Sequence, residues 1–93
     1  MTDNFRDNED RHRFELDVGG KIAFVAYRKS PGAITLVHTV VPPELGGQGI
    51  GSKLGRATLD AVRAQGLKLT VECKFIRGFM SKHAEYNDLL AAP

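Results

Sequence analysis

The first half of the chain alternates apolar and polar residues, which is the pattern of half-buried β-strands. Strands are predicted over residues 11–18, 21–28 and 33–41, and the second of them, apolar on both faces, is expected near the centre of a sheet. Gly19-Gly20 and the turn sequence at residues 29–32 separate these strands, so we expect an antiparallel meander.

Helical spacing replaces this alternation in the second half of the chain. Pro42-Pro43 ends the third strand because proline donates no hydrogen bond to a sheet. Apolar residues then recur every three or four positions from Ile50 to Gln65, and Gly66 is the expected C-terminal cap. A fourth strand is predicted over 67–73, parallel to the third, and residues 75–90 carry two short stripes of helical spacing.

The predicted order is therefore β-β-β-α-β-α, which indicates an α/β fold of the α+β type with a single small mixed sheet. A chain of 93 residues suits one domain. The polar residues 1–10 are expected to form a flexible N-terminus, which leaves residues 11–93 as the single domain.

Composition argues against several classes of function. The formal net charge is +2 and the basic residues are scattered, so nucleic-acid binding is not indicated. No apolar run approaches the roughly 18 residues of a membrane helix, so we expect no membrane partner. Cys73 is the only cysteine, which precludes an intrachain disulfide and fits a reducing cytoplasm. The histidines lie at no spacing typical of metal ligands, so no metal is expected.

Residues 46–51 contain four glycines between a predicted strand and a predicted helix. Glycine lets a ligand approach the backbone closely, and a helix start exposes unpaired N–H groups with about half a positive charge. The segment therefore suits a phosphate or pyrophosphate, although a plain turn that caps the helix explains the spacing equally well. The dinucleotide fingerprint lacks its later glycine here, and no Gly-Lys-Ser/Thr completes a P-loop.

The stretch VPPELGGQGIG, from Val41 to Gly51, resembles the acetyl-CoA loop of GCN5-related N-acetyltransferases, the GNAT family. In that family a loop of the form Gln/Arg-x-x-Gly-x-Gly/Ala follows a strand that ends in valine and proline. Gly46 stands here where the family has arginine or glutamine. Residues 73–75 and 83–89 extend the resemblance to a subgroup of minimal members that lack the first helices of the full-size domain.

This resemblance implies a truncated acyl-CoA N-acyltransferase fold and an enzyme that transfers an acetyl group from acetyl-CoA to an amine. The strand end would pair with the pantetheine arm, and the loop amides would hold the pyrophosphate. The implied cofactor-binding residues are Val41, Gly46, Gly47, Gln48, Gly49, Ile50, Gly51 and Ser52. In larger relatives the first helices build the acceptor side, so their absence favours an alternative, a non-catalytic CoA-binding or protein-interaction module.

Two residues are candidates for the chemistry. Cys73 would take the acetyl group as a nucleophile or protonate the leaving thiolate, although a small buried hydrophobe is an equally ordinary role for it. His38 is predicted on the apolar face of Ile34, Leu36 and Val40, where it would act as a base or fill a core position. A base would help because a lysine amine with a pKa of about 10.4 is only ~0.04% neutral at pH 7.

Glu44, His83 and Tyr86 are weaker candidates for the chemistry. The tyrosine acid of full-size members has no counterpart here, since neither Phe79 nor Met80 can donate a proton. The resemblance leaves open whether the acceptor is a small molecule or a protein amine, and whether transfer is direct or passes through an acetyl-cysteine. A domain of this size is expected to be a monomer.

Overall fold

The computed structural model describes residues 4–91, which form one five-stranded sheet with two α-helices. The strands are β1 (Asn4–Asn8), β2 (Arg13–Val18), β3 (Lys21–Ser30), β4 (Ala33–Val40) and β5 (Lys68–Val71). The helices are α1 (Ile50–Gln65) and α2 (Lys74–Ser81), and short 3-10 turns cover Glu9–Arg11, Pro43–Leu45 and Ala84–Leu89.

The order of strands in the sheet is the order in the chain, β1-β2-β3-β4-β5. The first four strands pair antiparallel, and α1 connects β4 to the parallel strand β5. The predicted mixed sheet and the central place of β3 are confirmed. The predicted bounds of α1 are confirmed as well, and Gly66 ends this helix with a left-handed φ of 68°.

The N-terminus differs from the prediction of a flexible segment over residues 1–10. Asn4–Asn8 forms an edge strand, and the Phe5 ring stacks on Phe14 with 5.9 Å between the ring centroids. Asp7 Oδ1 accepts a hydrogen bond of 2.6 Å from the Tyr27 hydroxyl. The prediction is therefore wrong for residues 4–10, because one apolar residue in a polar run gave too weak a periodic signal. Residues 1–3 lie outside the described residues.

A bulge interrupts the pairing of β3 with β4. Ala26 lies opposite His38, but the next residue of β3, Tyr27, lies opposite Leu36. Val37 is thus the extra residue on β4, and its insertion moves every later side chain of the strand to the opposite face.

The bulge corrects the predicted position of His38. Ile34 and Leu36, before the bulge, are buried against the helices, whereas His38 and Val40, beyond it, are exposed. Thr39 instead turns toward the core side. His38 therefore does not share the face of Ile34 and Leu36, as the regular alternation predicted.

The core lies between the sheet and the helices on one face. Leu54, Leu59 and Val62 of α1 are fully buried against Phe14 and Val25 of the sheet. This burial holds α1 in place, so that its first turn stands at the end of β4. Among residues 4–91, no helix is long and apolar enough to cross a membrane.

The two helices pack closely because α1 carries glycines where α2 carries aromatic rings. A Cβ on Gly51 would lie 2.5 Å from Phe75 Cζ, and a Cβ on Gly55 would lie 3.2 Å from Phe79 Cδ1. These two glycines therefore allow the rings of α2 to rest on the α1 backbone.

The opposite face of the sheet holds a buried carboxylate. Glu15 is only 1% exposed, and its carboxylate accepts hydrogen bonds from Arg6 Nε (2.7 Å), Arg13 Nε (2.5 Å) and Asn8 Nδ2 (3.1 Å). Burial raises the pKa of Glu15, but the hydrogen bonds from Arg13, Arg6 and Asn8 outweigh it and leave this pKa below its ordinary value. The cluster fastens β1 to β2 on the face that carries neither α-helix.

Candidate functional site

The glycine loop forms an open turn before α1. Gly47 and Gly49 adopt left-handed φ angles of 78° and 71°, which favour glycine. Gly49 caps α1, and no side chain accepts a hydrogen bond at this cap. The first N–H groups of α1, at Ile50 and Gly51, therefore have no side-chain cap and lie at the positive end of the helix dipole.

A cleft of about 260 Å³ opens beside this turn, and we call it the loop cleft. Every residue that the sequence predicted to bind the cofactor lines it except Gln48. Gln48 instead donates a hydrogen bond of 3.3 Å from Nε2 to the backbone carbonyl of Glu44. Leu45 and Phe75 complete the lining. Phe75 escaped sequence analysis as a site residue because it belongs to an apolar stripe typical of core packing.

Beside the loop cleft, β4 and β5 separate. Their parallel pairing ends at Leu36 and Val71, and the N–H groups of Glu72 and Cys73 both donate to the Leu36 carbonyl, at 2.9 and 3.2 Å. Beyond this point β4 continues to Val40, whereas the segment that follows β5 turns away into α2. Within residues 4–91, no strand pairs with this edge of β4 after Leu36. An unpaired edge of this kind can bind an extended ligand through its backbone groups.

Cys73 lies where the two strands separate, as the residue that caps α2. It is 4% exposed, and its Sγ lies 2.9 Å from Thr39 Oγ1, a hydrogen bond in which either atom can be the donor. Sequence analysis missed Thr39, since a threonine in a strand is ordinary and only the bulge turns it toward Cys73. The thiol is thus held by a hydroxyl rather than packed only against hydrocarbon.

His38 lies on the other face of β4. Its ring meets Phe24 edge-on, with 6.0 Å between the ring centroids. Because Thr39 faces Cys73 and neighbouring residues of a strand face opposite ways, the structure separates His38 from Cys73. The two residues predicted for the chemistry are therefore not brought together, and this arrangement gives no support to direct proton transfer between them.

The weaker candidates have structural partners. The Tyr86 hydroxyl donates a hydrogen bond of 2.8 Å to Asp60 Oδ1. The pKa of Tyr86 is raised mainly because the hydroxyl is buried, and the hydrogen bond to Asp60 raises it further. Glu44 is exposed and pairs with Lys21 at 3.7 Å. His83 stacks on an aromatic ring of α2, with 4.1 Å between the ring centroids. Tyr86 therefore anchors the C-terminal turn to α1.

A second cleft, of about 410 Å³, runs along α2, and we call it the α2 cleft. It shares Ser52 and Phe75 with the loop cleft and is also lined by Lys74, Gly78 and Lys82. The two clefts therefore meet at the Phe75 ring. Among residues 4–91, no three histidine, cysteine, aspartate or glutamate side chains come together to hold a metal ion.

The site thus combines a glycine loop at a helix start with a strand edge left open where parallel strands separate. The model of the GCN5-related N-acetyltransferase family matches residues 13–89, from the start of β2 to the end of the last 3-10 turn. The chain therefore belongs to this family and has the fold of a truncated member, with an acetyltransferase-type function. A search of curated proteins found no match to the chain.

Proposed function

We propose that the protein binds acetyl-CoA and transfers its acetyl group to an amine. The observation that carries the proposal is the loop cleft, which gathers the predicted residues other than Gln48 beside the open edge of β4. The N–H groups of the loop and of the first turn of α1 would hold the diphosphate, and the positive end of the helix would offset its charge. The pantetheine amides would pair with the backbone of β4 beyond Leu36.

Cys73 is the group that we assign to the chemistry. In direct transfer the amine nitrogen attacks the thioester carbonyl, and the carbon–sulfur bond to CoA breaks. The Cys73 thiol gives its proton to the departing CoA sulfur and regains one from the newly acylated nitrogen, so the reaction yields an amide and free CoA. In the two-step variant Cys73 Sγ attacks the thioester carbonyl, and the departing CoA sulfur takes the thiol proton. The amine then attacks the acetyl-cysteine, and Cys73 leaves as a thiol with a proton from the acylated nitrogen.

Thr39 has a supporting part in either route. Its hydroxyl can accept a hydrogen bond from the Cys73 thiol and donate one to the thiolate. The hydroxyl therefore holds the sulfur in one orientation during both halves of the proton exchange. His38 remains a prediction for a role toward the acceptor amine, on the face of the sheet away from Cys73.

A second candidate, CoA binding with little turnover, is favoured by one observation. Cys73 is buried, its thiol is hydrogen-bonded to Thr39, and His38 lies on the other face of β4, so the arrangement does not let His38 act as a base on this thiol. Under this alternative the loop cleft binds CoA and Cys73 serves as packing.

An NMR titration of labelled protein with acetyl-CoA tests the binding step. We expect saturable shifts centred on the amides of Gly46–Ser52 and Val41, with the turn at Gly19-Gly20 as an internal control that does not move. No saturable shift at millimolar acetyl-CoA would overturn the proposal and leave the loop as a helix cap.

CoA release in the presence of mixed amines tests the chemistry, with Cys73→Ala as the variant. We expect this variant to bind acetyl-CoA as the parent protein does and to lose turnover. Undiminished turnover in Cys73→Ala would remove Cys73 from the mechanism. Tight binding without turnover in the parent protein would favour the binding module.

A further inference from the structure

The face of the sheet that carries neither α-helix is the side from which an acceptor can reach Cys73. The helix α2 begins directly after Cys73 and, together with α1, covers the other face, whereas β4 and β5 separate beside this residue. Leu69, Val71 and Cys73 lie on the covered side, so the intervening Glu72 points to the uncovered face. Glu72 is therefore a charged side chain next to Cys73 in the chain, on the side from which an acceptor enters.

Glu72 forms an ion pair that crosses the uncovered face of the sheet. Arg28 belongs to β3 and lies opposite Thr35 of β4, so its side chain spans β4 to reach the segment after β5. Its Nη2 donates a hydrogen bond of 3.0 Å to Glu72 Oε2. The Arg28 and Glu72 side chains are 63% and 51% exposed, so water screens the pair and it stabilises the protein little. A cationic ligand can therefore take the place of Arg28 without harm to the fold.

A carboxylate at this place matters because many amines arrive with a positive charge. An alkylamine with a pKa near that of lysine, about 10.4, is almost entirely an ammonium ion at neutral pH. A carboxylate at the entrance attracts such a cation and holds it close to the thioester. The ammonium then releases its extra proton to the solvent before the nitrogen attacks. One alkylammonium ion and one acetyl-CoA thus yield an amide, CoA and one proton.

We propose that Glu72 binds the ammonium group of an alkylamine acceptor, and that Arg28 occupies this place until the acceptor replaces it. The inference rests on the proposed function, because it names the class of amine that the reaction takes and the residue that selects it. An arylamine, which is neutral at the same pH, gains no attraction from the carboxylate and does not displace Arg28. Glu72 is thus a specificity-determining residue, and Arg28 competes with the acceptor for it.

CoA release from acetyl-CoA, with a mixture of primary alkylamines and separately with a mixture of arylamines, tests this selection. The parent protein is expected to release CoA with the alkylamines. Glu72→Gln should raise KM for the most active alkylamine about fivefold at an unchanged kcat, the upper range for an exposed ion pair. Arg28→Met should lower the same KM by a similar factor, because it frees the carboxylate.

Two control variants remove the same charges near the opposite edge of the sheet. Glu9→Gln and Arg11→Met, in the turn between β1 and β2, should leave KM for the alkylamine unchanged. The inference is overturned, and the proposed function left standing, if the parent protein uses only arylamines, or if KM in Glu72→Gln or Arg28→Met moves no more than in its control. A parent protein that releases CoA with neither mixture overturns both.

Discussion

Replacement of Glu15 by glutamine should destabilise the protein strongly, although the substitution preserves the shape of the side chain. Glu15 is 1% exposed and accepts hydrogen bonds from three donors. A glutamine presents an NH₂ group where one side of the carboxylate accepted, so it turns a donor toward a donor. It also removes the negative charge that lies between Arg6 and Arg13.

The magnitude follows from the burial of the partners. Breaking a fully buried ion pair costs about 3–5 kcal/mol, whereas an exposed pair is worth about 1 kcal/mol or less. The Arg13 side chain is 23% exposed and that of Arg6 is 60% exposed, so only the ion pair with Arg13 contributes nearly the full stabilisation of a buried pair. We therefore expect Glu15→Gln to lower the free energy of unfolding by about 2–3 kcal/mol, or the melting temperature by about 10–20 °C in a domain of this size.

The effect should depend on pH with a definite sign. The pKa of Glu15 lies below its ordinary value of 4.5, so its stabilisation is complete above that pH and is lost as the pH falls through the lower, folded-state value. Urea denaturation of both proteins at pH 7, and again across the acid range, should show the gap between them closing below about pH 4.5.

A matched control is Glu72→Gln, which removes an equal charge from a half-exposed pair with Arg28 at 3.0 Å. It should cost about 0.5 kcal/mol or less at pH 7. The reasoning on Glu15 would be refuted if Glu15→Gln cost no more than this control, or if the gap to the parent protein persisted unchanged at acid pH.

Three further predictions follow from contacts at the site and beside it. Thr39→Val removes the hydroxyl that is hydrogen-bonded to Cys73 at 2.9 Å and should slow CoA release about fivefold, whereas Thr39→Ser should restore the rate. Equal rates of CoA release in Thr39→Val and the parent protein would show that Thr39 has no role in the reaction. Gly55→Ala places a Cβ 3.2 Å from the buried Phe79 ring and should lower the free energy of unfolding, measured in urea, by about 1 kcal/mol. Gly78→Ala should raise this free energy, because a Cβ there meets no other atom. A change of the same sign in both variants would contradict this account of the two glycines. Arg63→Ala removes two hydrogen bonds to Asp88, at 2.8 and 2.9 Å, and one to the Glu85 carbonyl, at 2.9 Å, so it should raise amide exchange in the last 3-10 turn. Unchanged exchange there would show that the turn is held by other contacts.

The features that the sequence predicted well are those with a local physical cause. Glycines at both ends of α1 mark its bounds, and the alternation of β2 and β3 follows from one buried face. Most of the loop cleft was predictable because all of its residues except Val41 and Phe75 lie within the short segment 45–52.

The features that sequence analysis missed depend on partners distant in the chain. Val37 is an ordinary strand residue, and only its pairing with β3 shows the bulge. Phe75 belongs to an apolar stripe typical of core packing, but the fold leaves its ring 42% exposed. Sequence analysis did not predict the strand β1, because Arg6 and Asn8, which donate hydrogen bonds to Glu15, are polar and produce no pattern of alternating apolar residues.

The bulge at Val37 divides β4 into two sections with different surroundings. Residues before it, such as Ile34 and Leu36, are constrained by packing under α1 and α2. Residues after it, such as Thr39, are constrained by what lies at the open edge. A single-residue deletion at Val37 would remove the bulge but keep Tyr27 opposite Leu36 and Ala26 opposite His38, so His38 would stay on the outer face and Thr39 on the core side. Val37 thus separates the section of β4 that packs under the helices from the section that borders the open edge.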